Sequence, residues 1–527
     1  MSLVLGAVPA GAAPPTVVSD QPDATDRAGI QALTDRAETA VGLDLDSATI
    51  PALQQRMNAG RLSSTTLTLA YLGRIHRIDR EVNAVLAVNP RAIAEAVASD
   101  HRRRHGGARS ALEGIPVLLK DNVNTRVQPA TAGSRALVKA RADRDAELVR
   151  RLSAAGAVII GKANLSEWAN FRSSNSTSGW SGVDGLTNNP YVLDRNACGS
   201  SSGSGAGIAA SLAQVAIGTE TDGSIVCPSG QNGIVGIKPT VGLVSRTGVV
   251  PLSLEQDTAG PMTRNVVDAA LTLAVLQGRD AADPATLLIP LSQPRDYTAG
   301  LSRDGLRGKR IGVWRKAGSS PEADVVVQSA VTALRRAGAT VVEVELPYQD
   351  EADAAEFPAL LSEFKADINT YLAATPGRHP RTLAELIAFN EADPVELRHF
   401  GQETFEQAQA APDDASEARA TATGLQRRAI DETVAAHRLD AIMAPTNSPA
   451  WRSTLGEGDA FVLGSSSPAA VSGYPNISVP AGFAGALPVG VSFFGSRWNE
   501  AGLVRIAYAF EQTTQARRAP RYLPTIG

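Results

Sequence analysis

A serine on a glycine-bearing turn stands out in the segment GTETDGSIVCP, residues 218–228. The residues before it resemble a strand, so Ser224 would project from the turn where that strand ends. A nucleophile needs this exposure, together with backbone N–H groups that can point at a substrate. Serine is a weak nucleophile without a neighbouring base, and no histidine lies nearby in the sequence. The segment therefore indicates a serine nucleophile whose base comes from elsewhere in the chain.

A lysine at the end of a second predicted strand can supply that base. The apolar run PVLLK ends at Lys120. An isolated lysine at a strand end usually extends its ammonium group to solvent. If its stem instead passes through an apolar sheet, desolvation favours the neutral amine, which accepts a proton near neutral pH. Serine activated by lysine is a known form of nucleophilic catalysis and needs no histidine.

The run CGSSSGSG, residues 198–205, is rich in glycine and serine and precedes a predicted helix. Such runs are usually flexible polar loops, but at a helix start they offer N–H groups and hydroxyls to an anion or an oxyanion. The run also contains G-x-S-x-G with Ser201 at its centre, a pattern of α/β-hydrolases. That histidine-dependent esterase would need His379, His399 or His437, which lie in polar or helix-end surroundings. We therefore favour the anion-binding interpretation.

Other ligand-binding motifs are weak. The stretch AGAVIIGKAN matches half of a phosphate-binding loop between Gly156 and Lys162. A predicted strand lies inside the match, and Ala163 stands where Ser or Thr is required. No cluster of His, Cys and Asp residues has metal-ligand spacing. The sequence therefore predicts no metal ion and no other cofactor.

The composition argues against several classes of partner. The chain has 527 residues, of which 43% are hydrophobic, so it can bury a large core. Its net charge of −4, from 54 acidic and 50 basic residues, gives no footprint for nucleic acid or an anionic membrane surface. No stretch approaches the roughly 18 apolar residues that would span a bilayer. We expect no nucleic-acid or membrane partner; the oligomeric state is open and compatible with a monomer.

Helices and strands alternate along most of the chain. A helix followed by a buried strand is predicted in residues 145–164 and again in 203–221, an order typical of an α/β sheet with helices on its faces. Residues 350–440 are mostly polar and helical, which predicts a helical layer, and further strand-like segments follow them. Because no convincing linker interrupts this order, we predict one large domain over residues 41–527.

The N-terminal residues 1–40 are rich in Ala, Pro and Asp and are predicted to form a flexible leader. The segment MSLVLGAVPAGAAPP ends in small residues, like a secretory signal, but it lacks a basic region and its apolar run is short. It is compatible with the remnant of a signal peptide and with a periplasmic or secreted protein. A cytoplasmic location is the alternative.

Three features therefore occur in one order: a strand-end lysine, a Gly/Ser run and a glycine-bearing turn with a serine. Together with the segments GIPVLLKDN, GKANLSEWANF, GIVGIKPTVGLVSRTGVVP and QDTAGPMTR, this order resembles the amidase signature family. The resemblance extends from about residue 45 to the end and is densest between 111 and 265. It implies an α/β fold with a single large domain, in which a mixed central β-sheet is flanked by helices.

The resemblance also implies a Ser–cis-Ser–Lys triad that hydrolyses carboxamides through an acyl-enzyme. Ser224 matches the nucleophile, Ser200 the cis-serine that relays the proton, and Lys120 the base. The other implied site residues are the oxyanion-binding backbone N–H groups of Thr221, Asp222, Gly223 and Ser224 and the acyl-pocket serines Ser173 and Ser174. Asp222 stands where many relatives have glycine. It is either an outward-pointing turn residue or a specificity contact.

Within the family, this sequence departs from the commonest pattern. Cys198 and Ser202 occupy the first and fifth places of G-G-S-S-G-G, and Val226 replaces the arginine of G-G-S-I-R. These departures resemble members that hydrolyse the C-terminal carboxamide of peptides to free acid and ammonia, so the expected partner is a peptide amide substrate. A hydrolase of aryl or aliphatic amides, or an amidotransferase A-type subunit, is the alternative. Cys198 and Cys227 each lie within three positions of a proposed catalytic serine; the sequence leaves open whether they are bonded, and free buried thiols are the default expectation.

Overall fold

A computed structural model of the chain describes residues 36–315 and 318–526. Its strands are β1 (Val85–Val88), β2 (Pro116–Lys120), β3 (Val158–Ala163), β4 (Trp180–Ser181), β5 (Gly185–Leu186), β6 (Val215–Glu220), β7 (Val235–Lys238), β8 (Thr258–Thr263), β9 (Arg310–Val313), β10 (Thr340–Glu343), β11 (Ala441–Pro445), β12 (Asn476–Ala484) and β13 (Leu487–Phe494). All except β4 and β5, which pair with each other, form one sheet in the order β1-β3-β2-β6-β8-β7-β12-β13-β11-β9-β10.

The helices cover this sheet. They are α1 (Ile50–Asn58), α2 (Ser64–Val82), α3 (Ala92–Gly106), α4 (Glu147–Ala154), α5 (Ser202–Ala209), α6 (Val226–Gln231), α7 (Val266–Leu276), α8 (Pro321–Arg336), α9 (Gln349–Ala374), α10 (Leu383–Ala392), α11 (Glu403–Ala410), α12 (Ser416–His437), α13 (Ser467–Ser472) and α14 (Glu500–Thr514).

Strand directions make the sheet mixed. Strand β2 lies parallel to β3 and β6. In the middle of the sheet, the neighbouring strands β6, β8, β7, β12 and β13 pair in antiparallel fashion. At the far edge, β11, β9 and β10 are again parallel. Since one sheet takes strands from Val85 to Phe494, the chain folds as a single domain. The predicted α/β class, with a mixed central sheet flanked by helices, is confirmed.

Local sequence signals account for several of these elements. Helix α2 begins after Ser63, whose hydroxyl accepts the Thr66 N–H at 3.0 Å. It ends at Asn83, which adopts the left-handed conformation (φ 54°) that commonly closes a helix. Strands β2 and β6 are buried along their whole length, as expected for parallel strands covered on both faces. Lys120 and Glu220 therefore end these strands inside the protein.

The Gly/Ser run forms a buried helix. Every residue of α5 is buried, and its glycines allow close approach to neighbouring backbone. At Gly203 an added Cβ would collide with the carbonyl oxygen of Ala84. The flexible-loop interpretation of this run is therefore wrong, because its small residues are needed for tight packing.

Helices α9 to α12 form the helical layer, and a second apolar cluster fixes it to the rest of the protein. Phe364, Leu386 and Phe405 of the layer pack with Trp168 and Leu252. These last two residues lie on segments close in sequence to Ser173 and to Asp257. The layer thus covers one side of the region that holds the predicted catalytic residues.

The predicted leader lies outside the described residues except for its last part. Residues 36–41 are helical, and Val41 is fully buried in the main core. Among residues 36–315 and 318–526, no helix is both long enough and apolar enough to span a membrane.

Candidate active site

The parallel strands β2 and β6 place the predicted base beside the Gly/Ser run. Lys120, at the end of β2, is fully buried. Its Nζ lies 2.7 Å from Ser200 Oγ, 2.9 Å from Thr219 Oγ1 and 3.2 Å from the Thr219 carbonyl oxygen. Lys120 therefore does not extend to solvent, and its amine is held against the hydroxyl of Ser200.

Ser200 precedes the Gly/Ser helix α5. The Gly199–Ser200 peptide bond is cis, the geometry that the family resemblance implies for the relay serine. The Ser200 carbonyl oxygen accepts the Ser166 N–H at 3.1 Å. Ser200 is buried, so its hydroxyl is accessible to Lys120 and not to bulk water.

Ser224 lies on the turn between β6 and α6 and lines a cavity of about 370 Å³. Its carbonyl oxygen accepts the Ser201 N–H at 3.2 Å, which holds the turn against the loop that carries Ser200. Its hydroxyl makes no hydrogen bond within the part of the chain that the structure describes. The three predicted triad residues are thus brought to one place; all three are buried, and Ser224 also lines the cavity.

The turn that carries Ser224 is fixed by two buried carboxylates. Glu220 accepts the N–H groups of Ile225 and Val226 at 2.7 and 3.0 Å. Asp257 accepts the Thr221 hydroxyl at 2.5 Å. These contacts hold both ends of the turn, so its backbone is preorganised before a substrate arrives.

The backbone N–H groups of this turn divide into two sets. Those of Thr221, Asp222 and Ser224 have no hydrogen-bond partner among the described residues, as an oxyanion site requires. The Gly223 N–H instead interacts with the Glu220 carboxylate. Gly223 has a φ of 81°, a conformation that favours glycine, and it lines the cavity. The geometry favours three oxyanion donors in place of the four implied by the resemblance.

Burial controls the charge of Lys120. It lowers the pKa of the amine to about 7, while the carboxylates of Asp257 and Glu220 favour the protonated form. A substantial fraction of the lysine is therefore neutral at neutral pH, which a base requires. Asp257 is itself held in place by the N–H groups of Leu252 and Ser253, at 2.7 and 3.1 Å.

The substitution Asp257→Asn should shift the acidic limb of the pH dependence of kcat/KM to lower pH. It removes a negative charge that stabilises protonated Lys120, so the pKa of the amine falls and the neutral form persists in more acidic solution. The measurement is kcat/KM against pH for both proteins. Asp283→Asn is the matched control, since Asp283 is a buried carboxylate paired with Arg246 (2.6 Å) and does not act on Lys120. An unmoved limb in Asp257→Asn would contradict this account of the base.

The predicted acyl-pocket serines line the same cavity as Ser224. Both serine hydroxyls donate to one carboxylate oxygen of Glu403, Ser173 at 2.7 Å and Ser174 at 2.8 Å. Burial alone would raise the pKa of Glu403, but the hydrogen bonds from the two serines hold it below its usual value. The two wall serines are therefore held in place by an ionised carboxylate.

Asp222 also lines the cavity, next to the nucleophile. Its Oδ1 atom is buried without a hydrogen-bond partner in the described ranges. Burial raises the pKa of Asp222 to about 6, and hydrogen bonds from Ser466 and Ser467 oppose the shift. This position favours the substrate-contact interpretation over an outward-pointing turn residue.

The expectation of free cysteines is wrong: Cys198 and Cys227 form a disulfide bond. The sequence could not reveal the pairing because the residues are 29 positions apart, one in the loop before α5 and the other in α6. The hydrogen bond between Ser201 and Ser224 brings these segments together, and the two Cα atoms lie 5.9 Å apart. Both cysteines line the cavity.

The structure explains the G-x-S-x-G pattern around Ser201 and the partial phosphate-loop match that ends at Lys162. Ser201 is fully buried, and its hydroxyl donates to the Thr219 carbonyl oxygen (3.1 Å) while accepting the Thr219 N–H (3.2 Å). It is therefore unsuited to attack a substrate. Lys162, from the partial phosphate-loop match, lies inside strand β3 and contacts the Val123 carbonyl oxygen and Asp121. Within the described ranges no group of His, Cys, Asp and Glu side chains could hold a metal ion.

Several wall residues come from the C-terminal half and were missed by the sequence analysis. They are Asp459, Phe461 and Ser466; Glu403, the carboxylate that holds two of the wall serines, comes from the same half. Asp459 accepts both the N–H and the hydroxyl of Ser178. These residues belong to no motif and lie far from Ser224 in the sequence, so no local signal could have identified them.

Comparison with known proteins finds similarity to amidases and to amidotransferase A-type subunits. The family model described as Amidase matches residues 66–504. A probable amidase of Arabidopsis thaliana is 40% identical over 495 residues, covering 91% of this chain and 92% of that protein. The A-type subunit of glutamyl-tRNA(Gln) amidotransferase from Myxococcus xanthus is 36% identical over 494 residues, covering 89% of this chain and 98% of that protein.

Among solved structures, native peptide amidase from Stenotrophomonas maltophilia superimposes with a TM-score of 0.85 at 51% sequence identity. The match covers 90% of this chain and 99% of that one.

Proposed function

This chain belongs to the amidase signature family of amide hydrolases, and we propose that it hydrolyses the C-terminal carboxamide of peptides to a free acid and ammonia. The observation that carries the proposal is the contact of buried Lys120 Nζ with Ser200 Oγ, beside the cavity that Ser224 lines. The 51% identity to a peptide amidase over 90% of the chain supports the peptide substrate.

In the proposed acylation step, proton transfer runs from Ser224 to Lys120 through Ser200. Neutral Lys120 accepts the proton of Ser200, whose oxygen takes the proton of Ser224 as the latter attacks the carboxamide carbon. A bond forms between Ser224 Oγ and that carbon while the carbonyl oxygen becomes an oxyanion. The N–H groups of Thr221, Asp222 and Ser224 would stabilise this charge, and one such donor is typically worth about 3–4 kcal/mol.

In the second half of the reaction, the tetrahedral intermediate expels ammonia. The proton held by Lys120 returns through Ser200 to the leaving nitrogen as the C–N bond breaks. A water molecule then attacks the ester on Ser224 and gives its proton to the same relay. Collapse releases the free acid and restores the Ser224 hydroxyl. The same groups serve both halves, so the mechanism needs no histidine.

The cavity wall favours a substrate with both polar and apolar parts. Serine hydroxyls and the carboxylate of Asp459 offer hydrogen-bond acceptors that suit the N–H groups of a peptide backbone. Phe461, which is 52% exposed, offers an apolar surface on the same wall. A peptide amide would place its backbone against the first group and a side chain against the second.

The direct test is to incubate the purified protein with a C-terminally amidated dipeptide and with a longer amidated peptide. We expect release of ammonia and a gain of about one mass unit in each product, with internal peptide bonds intact, because –NH2 becomes –OH. The Ser224→Ala variant gives the background. Turnover of simple aryl or aliphatic amides alone would retain the serine chemistry but reject the peptide substrate. Activity only after addition of partner subunits would favour an amidotransferase A-type subunit.

A further inference from the structure

The Cys198–Cys227 disulfide joins the loop that carries Ser200 to helix α6, which follows the turn that carries Ser224. Cys198 precedes Ser200 by two residues, and Cys227 follows Ser224 by three. Both cysteines are 3% exposed and line the cavity that Ser224 faces. The covalent link therefore lies beside the groups that must exchange a proton.

The backbone conformation at Cys198 indicates that this position holds a cysteine because of its sulfur atom. Cys198 has a φ of 55°, in the left-handed region that favours glycine. The conformation is fixed by two hydrogen bonds: Asn196 Oδ1 accepts the Cys198 N–H at 2.7 Å, and the Ser202 hydroxyl donates to its carbonyl oxygen at 2.6 Å. Glycine would fit this backbone with less strain, so the cysteine must contribute through its sulfur.

Hydrogen bonds also join the two segments, including those of the Ser201 hydroxyl to both backbone groups of Thr219, at 3.1 and 3.2 Å. The Ser201 N–H donates to the Ser224 carbonyl oxygen at 3.2 Å, and the Asn232 side chain, after α6, donates to the Ala197 carbonyl oxygen at 2.8 Å. The disulfide packs with Trp451 in a small cluster separate from the main core. The disulfide thus adds a covalent link to these hydrogen bonds, so it can limit how far the two segments separate.

We propose that the Cys198–Cys227 disulfide positions Ser200 and Ser224 for proton transfer, so that its reduction lowers turnover in a protein that remains folded. The inference rests on the proposed roles of these two serines. Proton transfer between hydroxyls requires a hydrogen-bond distance, and a displacement of about 1 Å can lower a rate a hundredfold. A clamp of this kind acts on kcat more than on substrate binding.

Reduction of the disulfide by a dithiol transfers two electrons from the reagent to the two cysteine sulfurs. A thiolate of the reagent attacks one cysteine sulfur, breaks the S–S bond and forms a mixed disulfide. The second thiol of the reagent then displaces that cysteine. The products are two protein thiols and the cyclic disulfide of the reagent. Because both cysteines line the cavity, the reagent can approach by the substrate's own path.

The test compares the wild type, before and after dithiothreitol, with the double variant Cys198→Gly/Cys227→Ala. Glycine suits the left-handed backbone at position 198, so this variant removes the bond without new strain. We expect kcat to fall between about tenfold and a hundredfold in the reduced wild type and in the variant, with KM changed by less than about twofold. Dithiothreitol should not affect the variant, and reoxidation should restore the wild type.

Two further measurements separate positioning from stability and from substrate choice. Circular dichroism at the assay temperature reports whether each form is folded, and thiol titration reports whether the bond is open. The rate at which a fluorophosphonate labels Ser224 reports the reactivity of the serine without any amide substrate, so the peptide proposal can fail while this one is tested. Labelling should slow in parallel with kcat.

Two results would overturn the inference. One is unchanged kcat and labelling in folded enzyme with two titratable thiols, or in the folded double variant. The other is a loss of activity that merely follows the loss of folded protein, since the disulfide would then contribute to stability and not to positioning.

Discussion

Ser224→Ala should lower kcat for amide hydrolysis by at least about 10,000-fold. The substitution removes the oxygen that forms the acyl-enzyme, and no other hydroxyl in the described part of the site is placed to replace it. Ser201, at the centre of the competing Gly/Ser motif, is fully buried against Thr219. The residual rate should be that of substrate held near the oxyanion donors of the turn. Substrate binding should persist, since the Ser224 hydroxyl holds no other group of the described wall in place.

The matched control for this result is Ser201→Ala. It removes a buried hydroxyl that bonds to both backbone groups of Thr219, so we expect a loss of about 1–3 kcal/mol in the free energy of unfolding. Turnover should nevertheless stay within about tenfold of the wild type. The measurement is kcat for both variants, together with thermal unfolding. The reverse pattern, with Ser201→Ala inactive and Ser224→Ala active, would favour the histidine-dependent esterase.

Replacement of Lys120 should have the second largest effect. Lys120→Met removes the base but retains an unbranched side chain for the apolar surroundings, and kcat/KM should fall by about 1,000-fold. Lys120→Arg should not restore activity, because a guanidinium stays protonated and cannot accept a proton from Ser200. An active arginine variant would show that the site needs a positive charge and not a base.

The pH dependence of kcat/KM in the wild type follows from the titration of Lys120. The lysine acts only when neutral, and burial lowers its pKa to about 7. We therefore expect kcat/KM to rise as pH increases through about 7 and to level off above it. Asp222 also titrates, with a pKa of about 6, so the profile should be measured in Asp222→Asn as well. If the rise of kcat/KM with pH persists in Asp222→Asn, it reports the titration of Lys120. If the rise vanishes in that variant, it reports the titration of Asp222.

The local part of the site could be predicted from the sequence. Lys120 and Ser224 each follow a short apolar strand, and strand ends and turns are features that local patterns report. Ser200 was implied by the order of motifs in the family. The start of helix α2 after Ser63 also follows from a local signal, because capping depends on neighbours three positions away.

The remaining features depend on contacts between distant segments. The disulfide pairs two segments whose approach depends on the packing of α5 against β6, so neither cysteine could be assigned from its neighbours. Asp257 raises the pKa of Lys120 from 137 positions away in the chain. Gln256 donates to both the Thr221 carbonyl oxygen and Glu356 of the helical layer, and so connects that layer to the turn. Such contacts exist only after the sheet has formed.

Part of the cavity wall comes from a stretch of the chain separate from the proton-transfer groups, and this separation has a consequence for evolution. The proposed proton-transfer groups lie between β2 and α6, as do wall residues such as Ser173, whereas Asp459, Phe461 and Ser466 of the wall come from residues that follow α10. Selection can therefore alter which amides enter the cavity through mutations or recombination in one stretch of the gene. The other stretch, which encodes bond cleavage, stays intact, so a lineage can acquire new substrates without losing its reaction.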